Sequence, residues 1–338
     1  MAPTDINTAR KFSVAPMLDW TDRHCRYFYR LMSKNVLLYT EMVTTGAIIF
    51  GKGDYLGFNQ EEHPVALQLG GSNAEDMARC AEQAQALGYD EVNINVGCPS
   101  DRVKNGSFGA CLMAEPDVVA ASVQQMQKAV DIPVTVKSRI GIDDMDEYED
   151  LTRFIKTVAD AGCEHFIVHA RKAWLQGLSP KENREIPPLK YERVYQLKQE
   201  FPQLHISING GIKTLSDVKT HLDYTDGVMM GREVYSNPWI LTQVEAELFN
   251  LQTSFSREDI VTLMIPYVER HIAGGGRAWH VIRHMLGLYQ GEPASRIWRR
   301  YLSENAIKPG TQASVLNEAV DAMMTTRAKL KSREEYLS

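Results

Sequence analysis

The chain has 338 residues, 44 % of them hydrophobic, and a formal net charge of −6, values ordinary for a globular protein. That length suits one α/β barrel of about 250 residues with a smaller appendage. No stretch approaches the ~20 unbroken apolar residues that cross a bilayer, and the acidic balance argues against a nucleic-acid partner unless a local basic surface offsets it.

The opening residues MAPTDINTARKF hold no apolar run of the kind an export signal needs, so residues 1–11 read as a tail. Eight short β-rich runs then follow: Phe12–Ala15, Val36–Tyr39, Val65–Leu69, Glu91–Asn95, Val134–Lys137, His165–His169, His205–Asn209 and Gly227–Met230. Helical patterns lie between them. After the third run, Met77, Cys80, Ala84 and Leu87 share one face, and Gly88 stops the helix. After the fourth, Val119, Val123, Met126 and Val130 do the same behind Asp117. Strands alternating with helices pair in parallel through right-handed crossovers, and eight such units predict a closed (β/α)8 barrel, because closure removes both sheet edges. A doubly wound open sheet is the rival, but it places a glycine-rich phosphate turn after its first strand. Here that turn reads Pro16-Met17-Leu18-Asp19, without a glycine.

After Pro238 the pattern changes. From about Leu241 to Ser338 the chain reads as amphipathic helices separated by Gly274-Gly275-Gly276, Gly291-Glu292-Pro293 and Pro309-Gly310. The expected division is a barrel over 12–240 and a small all-helical domain over 241–338.

The five cysteines, Cys25, Cys80, Cys98, Cys111 and Cys163, are odd in number and include no C-x-x-C pair. This argues against disulfides and against a zinc or iron–sulfur site, so no metal is expected and a reducing cytoplasm is the default compartment. Cys80 and Cys163 lie on apolar faces and read as core. Cys111 reads as packing. Cys98, between Gly97 and Pro99, does not fit a core position.

In such a barrel the chemistry sits at the C-terminal ends of the strands. Those ends carry Pro16-Met17, Glu41, Gln68, Asn95 with Cys98, Lys137 with Arg139, His169 with Arg171, Asn209-Gly210-Gly211 and Gly231-Arg232. Loops after the seventh and eighth strands are a recurrent phosphate site; their glycines let N–H groups approach an anion, and Arg232 adds a charge. A phosphate there with Lys137 pointing inward suits FMN, since a cation near N1 and O2 stabilises the reduced ring. Gln68 is expected at the ring's amide edge. No G-x-G-x-x-G follows any strand, so a nicotinamide reductant is expected to dock only transiently. A thiol is mostly protonated at neutral pH, so Cys98 can donate a proton, and the loop from Asp101 to Ala110 reads as a lid.

The helical part carries its own signal. From Arg277 to Lys308 there are six Lys/Arg against two Glu, a local +4. In Pro293–Asn305 the residues Ala294, Ile297, Trp298, Tyr301 and Leu302 form an apolar stripe with Arg296, Arg299 and Arg300 on the other side. Arg277, His280, Arg283 and His284 cluster upstream. Together with Arg139, Arg171, Lys181 and Arg184 they point to RNA phosphates rather than to a merely solvated face.

The motif Asn93-Ile94-Asn95-Val96-Gly97-Cys98-Pro99-Ser100, continuing through Val103, Gly106, Gly109, Ala110, Leu112 and Met113, resembles the tRNA-dihydrouridine synthase family. Ala15-Pro16-Met17, Gln68-Leu69-Gly70, Val136-Lys137-Ser138-Arg139, Val168-His169-Ala170-Arg171, Ile208-Asn209-Gly210-Gly211-Ile212 and Met229-Met230-Gly231-Arg232 resemble it too, across the whole barrel. Lys172 to Arg184 resembles the bacterial branch that modifies positions 20 and 20a of the tRNA D-loop. The resemblance implies reduction of uridine to dihydrouridine: NADPH reduces bound FMN, hydride passes to uracil C6, and Cys98 protonates C5. It implies FMN contacts from Pro16, Met17, Leu18, Gln68, Lys137, His169, Asn209, Gly210, Gly211, Gly231 and Arg232. Asn95, Lys137, Arg139 and Arg171 match positions for the flipped uracil or its ribose phosphate. tRNA is then the partner, with no membrane and no metal, and the chain is expected to be a monomer. The alternative is an FMN barrel acting on a small molecule of the dihydroorotate or enone type, which leaves the basic helices unexplained.

Overall fold

The computed structural model describes residues 5–100, 106–252 and 255–337. Eight parallel strands close into a barrel in sequential order: β1 (Phe12–Val14), β2 (Leu37–Thr44), β3 (Val65–Gly70), β4 (Glu91–Val96), β5 (Val134–Arg139), β6 (His165–His169), β7 (His205–Asn209) and β8 (Gly227–Met230). Closure is made where Val14 of β1 pairs with Met230 of β8. The expected runs match these strands closely. β2 is the exception: it continues to Thr44 past a register shift between Tyr39 and Met42. Glu41 is therefore inside a strand rather than at its tip.

Side chains alternate between the barrel interior and the surrounding helices. The outward faces are apolar and meet helices such as Ala74–Leu87 and Pro116–Ala129. Met77, Cys80 and Ala84 are buried as their spacing requires, but Leu87 at the last turn is 50 % exposed. On the second helix, which Pro116 opens, Val119, Val123, Met126 and the capping Val130 are all buried, as their helical spacing on one face requires. Inside the barrel Ala15, Leu37, Tyr39, Ala66, Ile167 and Met229 form an apolar cluster.

The chain divides into two compact units, Met1–Arg23 with Asn35–Gly231, and His24–Lys34 with Arg232–Ser338. The helix Arg23–Met32 thus falls almost wholly in the second unit, where Tyr27 stacks on Tyr267 with ring centroids 4.0 Å apart. The described residues of that unit form no strand. Its centre is Trp298, fully buried on the helix Ser295–Asn305. Its indole Nε1–H donates to the Met285 carbonyl at 3.0 Å, and its ring meets Tyr289 edge-on at 4.9 Å. Trp298→Ala removes that volume and its hydrogen bond together, and is expected to destabilise this unit by about 3–5 kcal/mol. Denaturant melts of wild type and variant measure it. On the same helix Leu302 is buried while Arg296, Arg299 and Arg300 are exposed, so the stripe and the basic face separate as the spacing requires. His284 departs from the expected basic cluster: it is buried, with its ring nitrogen 3.1 Å from the Tyr235 hydroxyl.

Candidate active site

The inward residues of β5 are Thr135, Lys137 and Arg139, rising from the barrel interior to its C-terminal rim. Lys137 Nζ donates to Asn209 Oδ1 at 3.2 Å, and Asn209 Nδ2 donates to the Met229 carbonyl at 2.8 Å. One short chain therefore ties the ends of β5, β7 and β8. Burial first and Arg139 second lower the Lys137 pKa to about 7, against an opposing effect of Cys98. His169 is held well below the usual imidazole range, first by burial and then by Arg139, Lys137, Arg171 and Arg184. His169 is thus a neutral imidazole beside three arginines and Lys137, an electropositive cluster in an acidic protein. Such a site favours an anion, because a low local dielectric strengthens each attraction.

The glycine turn after β7 supplies a second element. Gly210 and Gly211 adopt φ +119° and +70°, in the left-handed region where a side chain is strained. A Cβ at Gly210 would meet His169 at 2.6 Å, and one at Gly211 would meet Leu189 at 2.6 Å. The Tyr191 hydroxyl fixes the turn by donating to the Gly210 carbonyl at 2.7 Å. Gly231 follows β8, next to Ala15 and Met17. Pro16 and Met17 are half-buried, whereas Leu18 is 66 % exposed. Arg232 is exposed and opens the second stretch of the second unit.

Cys98 lies on the turn after β4, half-buried, with Sγ 3.4 Å from Ser100 Oγ. Its N–H and that of Gly97 both donate to Asn95 Oδ1, at 3.0 and 3.1 Å. Its carbonyl accepts from Ala110 N at 2.9 Å, which anchors the far end of the loop. Asp101 to Asn105, including Val103 of the motif and the tip of the expected lid, lie outside the described residues. Cys80 and Cys163 differ from Cys98 in kind: both are buried, and burial pushes each thiol up to about 12, which makes them inert. Cys111 is half-buried with Sγ 3.1 Å from the Phe108 carbonyl.

Several residues expected to meet substrate also hold the site together. Arg139 is 3 % exposed. Its Nε donates to the Gly97 carbonyl at 2.9 Å and its Nη1 to the carbonyls of Lys172 and Asn183 at 3.0 Å each. Arg171 Nη1 donates to the Glu185 and Pro187 carbonyls. Lys181 and Arg184 are exposed. The hub of this loop is Asn183, which the sequence did not reveal. It is fully buried, and its Nδ2 donates to the carbonyls of Trp174 and Leu178 while its Oδ1 accepts from Trp174 N. Gln68 was expected at the rim but lies within β3, 1 % exposed. Its Nε2 donates to Asn93 Oδ1, and its Oε1 accepts from Asn95 Nδ2, both at 2.8 Å. Among the described residues no group of three His, Cys, Asp or Glu could hold a metal ion, and no helix is long and apolar enough to cross a membrane.

Comparison with known proteins accords with this geometry. A solved 2-naphthoyl-CoA reductase complex superposes with a TM-score of 0.54 over 69 % of this chain and 49 % of that one, at 11 % identity, a likeness of fold alone. A tRNA-dihydrouridine(20/20a) synthase from Shewanella oneidensis is 64 % identical over 320 residues, 94 % of this chain and 96 % of that protein. The protein of the same name from Escherichia coli is 62 % identical over 326 residues, 96 % of this chain and 94 % of its own. That from Vibrio cholerae is 62 % identical over 312 residues, 92 % of this chain and 95 % of its own. The family model for dihydrouridine synthase matches residues 13–325. With nearly the whole length matched by the model and by these relatives, the chain belongs to the dihydrouridine synthase family.

Proposed function

We propose that this protein reduces uridine to 5,6-dihydrouridine in the tRNA D-loop, at positions 20 and 20a, as a cytoplasmic monomer with FMN bound and NADPH as the transient reductant. The observation that carries the reading is one rim on which a desolvated lysine, a left-handed glycine turn and a half-buried thiol meet.

The residues fit FMN on two counts. Lys137 is a half-buried amine whose pKa desolvation lowers to about 7, and Gly210-Gly211 bares its backbone where a side chain would collide with its neighbours. Asn209, Gly210, Gly211 and Gly231 would hold the phosphate end, and Pro16, Met17, Gln68, Lys137 and His169 would line the ring. FMN, when bound, would supply hydride chemistry toward uracil C6. Lys137 stabilises negative charge at the ring edge. Cys98 delivers its thiol proton to uracil C5. Asn95 and Arg139 hold the Cys98 turn in place. Arg171, Lys181 and Arg184 receive the backbone around the extruded nucleotide. A D-loop base that is already unstacked keeps the extrusion cost to a few kcal/mol. Arg296, Arg299 and Arg300 meet phosphates elsewhere on the folded RNA.

The anion site has a pH signature. The Lys137 pKa is lowered to about 7, so below that pH the amine is already an ammonium. Above it the amine is neutral and must gain a proton to pair with an anion. FMN binding to the stripped protein is therefore expected to take up close to one proton near pH 8 and far less near pH 6. The extra uptake disappears in Lys137→Met. Calorimetry in buffers of different ionisation heat reads this directly; equal uptake in both proteins contradicts the assignment.

Anaerobic reduction followed by mixing tests the function. Purified protein is reduced by NADPH and then mixed with unmodified tRNA. Reoxidation of the flavin absorbance by tRNA is expected. Reoxidation by a free enone or by orotate, with none by tRNA, replaces this reading with the small-molecule one.

A further inference from the structure

β4 reads Glu91-Val92-Asn93-Ile94-Asn95-Val96, and the strand period of two puts all three polar residues on the barrel interior. A barrel interior is ordinarily filled by branched apolar side chains. Here it holds a continuous polar ladder. At its foot, on the N-terminal side of the barrel, Glu91 Oε2 accepts from Arg10 Nη2 at 2.6 Å and from Arg10 Nε at 3.0 Å. Glu91 Oε1 accepts from the Tyr39 hydroxyl at 2.7 Å and from the Thr135 hydroxyl at 2.6 Å. Thr135 Oγ1 in turn accepts from Asn93 Nδ2 at 2.8 Å. Above that come the Asn93–Gln68 and Gln68–Asn95 bonds, then the Gly97 and Cys98 N–H groups on Asn95 Oδ1. Glu91, Asn93 and Thr135 are fully buried, and Arg10 is 4 % exposed.

The polarity of this ladder can run only one way. A carboxylate ion-paired with arginine has acceptors and no donor, so Thr135 must give its hydroxyl hydrogen downward. That leaves its oxygen to accept from Asn93, which sets the Asn93 amide. The Asn93 oxygen sets Gln68, and the Gln68 oxygen sets Asn95. The Asn95 oxygen therefore faces the Cys98 turn. A flipped Asn95 amide would bring its NH₂ against two N–H donors, and neither would have an acceptor.

We propose that Thr135 and Asn93 are positioning residues for Cys98: they carry the acceptor end fixed by the Arg10–Glu91 pair up to Asn95, whose oxygen holds the backbone of the Cys98 turn. The mechanistic meaning rests on the proposed function, since only there is Cys98 the proton donor. The ladder itself does not.

The test compares Thr135→Val, which keeps the shape and removes the hydroxyl, with Thr135→Ser, which keeps the hydroxyl. Asn93→Leu breaks the next link, so the test survives if one variant fails to fold. On flavin-loaded protein, the alkylation rate of Cys98 by iodoacetamide is followed by peptide mass. Single-turnover uridine reduction and NADPH oxidation are measured beside it. In Thr135→Val and Asn93→Leu the Cys98 turn loosens, and alkylation is expected to quicken about fivefold. Uridine reduction slows on the order of tenfold to a hundredfold, and NADPH oxidation falls by a much smaller factor. Thr135→Ser behaves as wild type. A residue that only stabilises the barrel floor would lower the melting temperature and leave both Cys98 readouts alone. Thr135→Val and Thr135→Ser alkylating and turning over alike overturns the proposal. If wild type reduces no uridine, the functional reading fails, and the alkylation rates still decide the ladder.

Discussion

Cys98→Ala is expected to slow uridine reduction by about 10²–10⁴-fold, with NADPH oxidation and tRNA affinity unchanged. The size follows from the role. A general acid lowers the chemical barrier only at the step where C5 takes its proton, and alanine removes the Sγ–H and leaves a methyl group with no proton to give. The selectivity follows from the geometry. The turn is held through the main chain, by Asn95 Oδ1 below and Ala110 N beyond, and alanine keeps both bonds. Lys137 and the Gly210-Gly211 turn lie on other strands and are held by Asn209 and Tyr191 rather than by the thiol. Rapid-mixing kinetics separate the reductive and oxidative halves. Equal loss in both halves means that Cys98 supports the fold of the site rather than the proton transfer.

Charge reversal on the exposed basic helix is the second large effect. Arg299→Glu with Arg300→Glu is expected to weaken tRNA binding on the order of a hundredfold near physiological salt, and to lower the slope of log affinity against log salt by about 2. Each lost phosphate contact removes roughly one released counterion. Both side chains are exposed, and neither forms an ion pair with the described residues, so the fold loses little. NADPH oxidation is expected to stay at the wild-type rate. Binding isotherms at several salt concentrations check the slope. An unchanged slope places the RNA surface elsewhere.

Much of this molecule was legible because its signals are local. Strand runs such as His165–His169 and Gly227–Met230 are short, β-rich and bounded by turns, and they fold as read. The rim residues were legible because a barrel fixes which end of each strand carries the loops. β2 was ended at Tyr39, with Glu41 placed at its tip, whereas a register shift carries the strand past both to Thr44. The polar ladder was hidden for a different reason. Glu91, Asn93 and Asn95 alternate visibly, but their partners Thr135, Gln68 and Arg10 come from distant parts of the chain, and only closure of the barrel brings them inside. Arg139 shows the same limit: its charge was plain, and its three backbone carbonyl partners were not. Asn183 carries no signal in a loop already rich in polar residues. Its weight comes from full burial, which only the folded loop reveals.

The most direct measurement is a map of dihydrouridine, nucleotide by nucleotide, in unmodified tRNA incubated with this protein and NADPH. Reduction confined to D-loop positions 20 and 20a, and absent with Cys98→Ala, is the expected result. An unaltered tRNA beside brisk turnover of a small enone or of orotate would contradict it.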